Sequence, residues 1–136
     1  MIKKSRDLKI RSALPCFSLP TNDSELTDVG YVLAIENGSC VYISGDTGYH
    51  ELLAHVRRLE PDVMITCMNS GFDNMSHWEA AELAGIIKPK AAIPSRYDIF
   101  PDNAADPQLF RAALRCKTPD VRYQQLEYVK SFFFKA

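Results

Sequence analysis

Imidazole, thiolate and carboxylate groups hold metals, move protons or attack carbonyl carbons, and their spacing decides which of these they can do together. Among the 136 residues there are three histidines, none in a His-x-His or His-x-x-x-His pair. His50 and His55 are five residues apart on one predicted helix, about 140° around its axis, so they cannot grip one ion. His77 falls in the first turn of a later predicted helix, where an exposed or capping role is expected. Cys16, Cys40, Cys67 and Cys116 contain no C-x-x-C pair, which argues against a thiolate zinc knuckle and a redox dithiol. They are expected to be reduced and largely buried.

The remaining candidates sit in loops. In open α/β sheets ligands gather beyond the carboxyl ends of the strands, where helix N-termini aim backbone N–H groups at a cleft. Three such loops are predicted, at 44–48, 69–75 and 95–103. They carry Asp46, Asn69, Asp73, Asn74, Arg96, Tyr97 and Asp98. An aspartate after a strand is an ordinary turn former or helix cap, so residue type alone does not single out Asp46.

The elements that must position these loops can be read from pattern. Residues 31–35 and 40–43 are β-rich runs joined by Glu36-Asn37-Gly38-Ser39, and Asn-Gly there predicts a hairpin with a type I′ turn. Over 49–59, Leu52, Leu53, Val56 and Leu59 recur at helical spacing with Arg57 and Arg58 on the wet side. Pro61-Asp62 ends that helix, and 63–68 is apolar and of strand length. Ser76 and Glu79 have capping-box spacing before a helix that reaches Ile87. Residues 90–94 read as a strand. Asp106-Pro107 opens a helix to about Cys116, with the aspartate at the cap and proline in the first helical position. Residues 121–134 suit one or two closing strands. Residues 1–28, with Pro15 and Pro20, read as an irregular lead-in holding one strand near 8–14, and 29–136 as a single α/β domain with a mixed sheet and flanking helices.

Three blocks then resemble a known family when taken together. Gly30-Tyr31-Val32, Val41-Tyr42-Ile43-Ser44-Gly45-Asp46-Thr47, and Ile93-Pro94-Ser95-Arg96-Tyr97-Asp98-Ile99-Phe100 with Ala105-Asp106-Pro107 are similar to the second half of a metallo-β-lactamase-fold hydrolase. The ascorbate-6-phosphate lactonase-like branch is the closest in pattern. The resemblance spans roughly 30–113 and implies half of an αββα sandwich. It also implies zinc or manganese, a metal-activated water that attacks an ester, lactone or phosphoester, and Asp46 as a metal ligand. The first-half ligand cluster of that family, His-x-His-x-Asp-His, is absent from this sequence. Where the family has histidine in its Ile-Pro-x-His-Tyr-Asp block, this chain has Arg96. A guanidinium offers no lone pair and stays protonated, so it cannot ligate a cation.

These residues leave three readings. The chain is a truncated or split member of the superfamily, inactive by itself, in which Arg96 pairs with Asp46 in place of an ion. Alternatively it is half of an active metallo-hydrolase that a partner chain completes. As a third reading it is a noncatalytic module whose cleft, formed by Arg96, Asp98, Tyr97 and Asn69 around Asp46, binds a small anion. A half-sandwich exposes one apolar sheet face, so a homo-oligomer or a partner chain carrying the missing half is expected.

Composition narrows the partners further. Sixteen Lys and Arg against 17 Asp and Glu give a formal charge of −1, so nucleic acid and anionic lipid have no electrostatic claim on the chain. With 46% hydrophobic residues and no long apolar run, a globular chain without a membrane span is expected. Lys3, Lys4 and Arg6 precede mixed polar residues rather than an apolar segment, so a cytoplasmic setting is expected.

Overall fold

A computed structural model describes the backbone of residues 10–20, 26–36 and 38–135, and side chains within these from residue 29 onward. Residues 1–9, including Lys3, Lys4, Arg6 and the start of the predicted 8–14 strand, lie outside the described residues, as does the side chain of Cys16. The chain forms β1 (Ile10–Pro20), β2 (Leu26–Ile35), β3 (Cys40–Ile43), a 3₁₀ helix (Glu51–Leu59), β4 (Val63–Cys67), α1 (His77–Ile87), β5 (Ala91–Ser95), α2 (Pro107–Lys117) and β6 (Arg122–Tyr123). A short 3₁₀ turn, Pro101–Asn103, precedes α2.

The six strands lie in sequence order in one sheet. β1 with β2 and β2 with β3 are antiparallel, and β3 through β6 are parallel. Three crossovers thus step in one direction along the sheet, and right-handed crossovers of that kind place their helices on one face. Packing agrees with this. Val32, Tyr42, Met64 and Ala92 form one row across β2 to β5. They share a buried cluster with Leu53 and Val56 of the 3₁₀ helix, Leu83 and Ile87 of α1, and Phe110 and Leu114 of α2. The adjacent row, Tyr31, Ile43, Ile65 and Ile93, points to the opposite face by the two-residue period of a strand and contributes nothing to that cluster.

Several expectations change on contact with the structure. The strand expected near 8–14 within the lead-in corresponds to β1, which is longer and spans Ile10–Pro20, and the 28/29 boundary falls inside β2. Pro15 and Pro20 are tolerated because β1 is the edge strand, where a missing N–H costs no ladder bond on the open side. The β2–β3 hairpin forms, but Ala34 pairs with Cys40. That register leaves Ile35 opposite Ser39, with Ile35 N donating to Ser39 O at 3.4 Å and Gly38 N to Ile35 O at 3.1 Å. Three residues therefore make the connection where a type I′ turn would need two.

The 49–59 helix is shorter and is 3₁₀ in character, which suits the three-residue step from Leu53 to Val56, both buried; Leu52 on another face and Leu59 at the helix end are exposed. In the tail only Arg122–Tyr123 is strand, beside β5. Of the cysteines with described side chains, Cys67 is buried, Cys40 half-buried and Cys116 exposed, so the expectation of general burial fails at Cys116.

Candidate functional site

The loops after β3, β4 and β5 meet at one end of the sheet. Ser44 continues the parallel ladder, its N–H donating to Ile65 O at 2.9 Å. Its hydroxyl accepts from Cys67 N at 3.0 Å, locking the end of β3 to the end of β4. Gly45 then takes φ +64°, and a Cβ there would lie 2.6 Å from Val29 O, so only glycine makes this turn without displacing β2. Thr47, fully buried, donates its hydroxyl to Ser44 O at 3.0 Å. Asp46 is held between these two anchors.

The 69–75 loop is braced across itself. Ser70 N donates to Met75 O at 3.2 Å and Asn74 N to Gly71 O at 3.0 Å. Asn74 Nδ2 donates to Asn69 Oδ1 at 3.0 Å, and the Cys67 thiol reaches the same oxygen at 3.3 Å. The bracing holds Ser70, Phe72 and Asp73 in the left-handed region, at φ +59°, +52° and +64°, and Arg96 after β5 is there too at +58°. Such backbone costs of order 1–3 kcal/mol per residue and gathers where a surrounding structure over-determines it. Two of these four non-glycine residues, Phe72 and Arg96, line one cleft.

Arg96 Nε lies 2.6 Å from Asp46 Oδ1, with the two side chains 43% and 37% exposed. The oxygen itself is shielded from solvent and receives no aligned hydrogen bond, so the contact is one of charge at close range. Together they form the polar end of a cavity of about 200 Å³ with Asn69, Asn74 and Asn103. Its mouth is apolar: Phe72, Ile99 and Phe100 line it and are 89%, 51% and 59% exposed.

The structure thus brings Asp46, Asn69 and Arg96 to one cavity. Tyr97 and Asp98 border an adjoining groove against the C-terminal segment, which shares Arg96 and Ile99 with that cavity; there Tyr128 Oη donates to the Asp98 carboxylate and Gln125 Nε2 to Tyr97 Oη at 3.4 Å. The Asp98 carboxylate, by taking that bond, pushes the Tyr128 phenol above its ordinary value. Sequence reasoning placed Phe72, Ile99, Phe100 and Asn103 within the candidate loops 69–75 and 95–103 but did not single them out as lining residues, since side-chain type alone does not mark them.

The histidines stay apart from the cavity. His50 is the N-cap of the 3₁₀ helix, its Nδ1 accepting from Leu52 N at 3.1 Å, and His77 is the first residue of α1. Burial pushes the Cys67 thiol up, the neighbouring Asp46 charge adding to the rise while the backbone at Asn69 and the Arg96 charge oppose it. Cys67 is therefore a protonated thiol at neutral pH, a poor nucleophile and a poor metal ligand. Among the described residues no three of His, Cys, Asp and Glu converge. One carboxylate with a guanidinium at 2.6 Å does not make a divalent-metal site, because the fixed cation repels the ion and no second carboxylate, imidazole or thiolate among the described residues joins Asp46 in the lining.

The fold defines the class. A metallo-hydrolase of Ignicoccus hospitalis superposes with a TM-score of 0.69 at 24% identity, covering 85% of this chain and 49% of its own. A zinc-dependent hydrolase of the metallo-β-lactamase superfamily from Thermotoga maritima gives 0.56 at 23%, covering 74% and 49%. This chain has the metallo-β-lactamase fold over the matched span.

Sequence relatives carry the comparison further. A UPF0173 metal-dependent hydrolase of Methanopyrus kandleri is 37% identical over 107 residues, which is 78% of this chain and 46% of the relative. One from Caldivirga maquilingensis is 30% identical over 118 residues, 85% and 51% respectively. The homologues are thus UPF0173 metal-dependent hydrolases, and the chain spans about half the length of these curated relatives. No protein-family model matches the sequence.

Proposed function

We propose that this chain is the Asp46-bearing half of a metallo-β-lactamase-fold hydrolase and is hydrolytically silent by itself. The observation that carries the reading is the 2.6 Å contact between Arg96 Nε and Asp46 Oδ1. It sets a permanent positive charge where the family resemblance calls for a metal-binding histidine. In the completed fold, zinc or manganese and a histidine cluster from the other half would supply hydrolysis of a lactone or related ester. A partner chain or a second copy, packed on the apolar sheet face, is the expected source of the missing layer. The thiols of Cys67 and Cys116 form no disulfide, which supports a cytoplasmic setting. Among the described residues no helix is long and apolar enough to cross a membrane.

Metal uptake tests this directly. After exposure to zinc or manganese and desalting, elemental analysis of the purified chain is expected to find far less than one equivalent. The Arg96→His variant, which swaps a repelling cation for a lone-pair donor, is expected to retain more. One tightly held equivalent in the unaltered chain, accompanied by hydrolysis of simple lactones, would overturn the reading.

A second reading has its own support. Asn74 is 9% exposed, and its Oδ1 is buried at the cavity with no hydrogen-bond partner. Such an acceptor is costly unless something supplies a donor. This favours the cleft as a binding site rather than only a filled-in remnant.

A further inference from the structure

We propose that the Asp46–Arg96 cavity binds a small zwitterion, an α-amino acid with an apolar side chain. The inference rests on the reading of Arg96 as the standing counter-charge of Asp46. It follows from matching donors, acceptors and charge around the cavity wall.

Arg96 spends its Nε on Asp46, and neither of its Nη groups has a hydrogen-bond partner among the described residues. Those two groups present the parallel donors that suit a carboxylate. The acceptors stand opposite in kind: Asp46 Oδ1 lies against Arg96 Nε, leaving the other oxygen of this partly exposed carboxylate to face a ligand, and Asn74 Oδ1 is buried without a donor. Asn69 Oδ1 is already occupied by Asn74 Nδ2 and the Cys67 thiol. An ammonium supplies three donors and no acceptor, which is what Asp46 and Asn74 lack.

Net charge selects between ligand classes. Asp46 and Arg96 are the charged residues of the lining and cancel. A plain anion would gain from Arg96 and lose to Asp46 at nearly the same range, and a plain cation the reverse. A molecule whose two charges sit on one carbon, two bonds apart, meets each with its opposite and leaves neither unpaired. The volume, about 200 Å³, matches roughly six or seven waters at about 30 Å³ each, the size of a small amino acid. Phe72, Ile99 and Phe100 then give an apolar side chain a surface to cover, which would also shield aromatic area now open to solvent. The left-handed backbone at Phe72 and Arg96 holds one apolar and one charged member of this set in place.

Leucine and its two deleted analogues make the test, each added at on the order of 10 mM to protein freed of metal by chelation. Leucine is expected to raise the melting temperature by about 2 °C or more, because it binds only the folded state. 4-Methylpentanoate, which lacks the ammonium, 3-methylbutylamine, which lacks the carboxylate, and inorganic phosphate are expected to leave it unchanged. Arg96→Ala and Asp46→Asn should each abolish the leucine shift. Should either variant fail to fold, the unaltered protein still decides: leucine is expected to move the side-chain amide resonances of Asn74 in a ¹H–¹⁵N spectrum. An equal response to 4-methylpentanoate or phosphate would show a simple anion site and overturn the proposal. So would an equal response to the amine, or none to leucine by either readout. Failure of the metal-silent reading would appear separately, as metal retained by the chain before chelation.

Discussion

Asp46 and Arg96 show how little a close ion pair says about stability until its exposure is considered. Their contact is short, yet both side chains are more than a third exposed, and solvent-exposed pairs contribute about 0–1 kcal/mol. Asp46→Asn is therefore expected to lower unfolding free energy by less than about 1 kcal/mol in urea titration, while removing the charge that balances Arg96. Cys67 and Cys116 give a contrast within one residue type. Cys67 is buried with its thiol pushed up by desolvation, whereas Cys116 is exposed on α2. Mass spectrometry after brief alkylation of the native protein should find Cys116 modified and Cys67 intact, with both labelled in denaturant. At this scale the sequence was partly legible. Asp46, Asn69 and Arg96 could be named from loop position and resemblance, because charge and motif are visible in a string of letters. Phe72 and Phe100 could not, because what makes them cavity residues is a backbone turn that no composition signal announces.

Elements were easier to read where side chain and backbone bond locally. Ser76 and Glu79 form the reciprocal cap at the start of α1, Ser76 Oγ accepting from Glu79 N at 3.2 Å and Glu79 Oε2 accepting from Ser76 N at 2.8 Å. Asp106 likewise accepts from Gln108 N at 2.8 Å before Pro107. The hairpin register was not legible in the same way, since Asn37-Gly38 allows a two-residue turn and the pairing of Ala34 with Cys40 is settled by which faces the strands bury. Asp62 was read as no more than a helix stop, yet it clasps the starts of three strands. Its Oδ2 accepts from Cys40 N at 2.9 Å, its Oδ1 meets Lys90 Nζ at 2.9 Å, and its backbone oxygen accepts from Lys90 N at 2.8 Å.

The hydrogen bond from Cys40, and then the Lys90 charge, hold the Asp62 carboxyl below its ordinary 3.8 against an opposing desolvation. A carboxyl depressed in the folded state stabilises above its unfolded value and loses that contribution as pH falls through the folded one. Asp62→Ala is expected to cost about 1.5–3 kcal/mol at neutral pH, the range for hydrogen bonds to a charged group. The loss relative to the unaltered chain should begin to shrink below about pH 4, where the unfolded carboxyl takes up its proton, and should close only as pH falls through the lower folded value. Urea melts at neutral pH and near pH 3 would show whether the gap narrows.

For the molecule as a whole, the sheet is covered by helices on one face, and the other carries the row Tyr31, Ile43, Ile65 and Ile93. The parallel α/β order was legible from alternating patterns, because local periodicity records which face of each element is buried. What covers the second face was not, since that depends on residues distant in sequence or on another chain. Tyr31 is 47% exposed at the centre of β2, Ile43 and Ile65 are half-buried beside it, and Ile93 at the end of the row is buried within the chain. An apolar stripe of this kind draws a second surface onto itself in water. Sedimentation velocity at micromolar concentration is expected to show self-association of the purified chain. Tyr31→Lys, placing a charge in the middle of the row without touching the helix-side cluster, should shift the distribution to monomer while leaving the far-ultraviolet circular dichroism unchanged. An unaltered chain that sediments as a monomer across that range would remove the second copy as the covering layer.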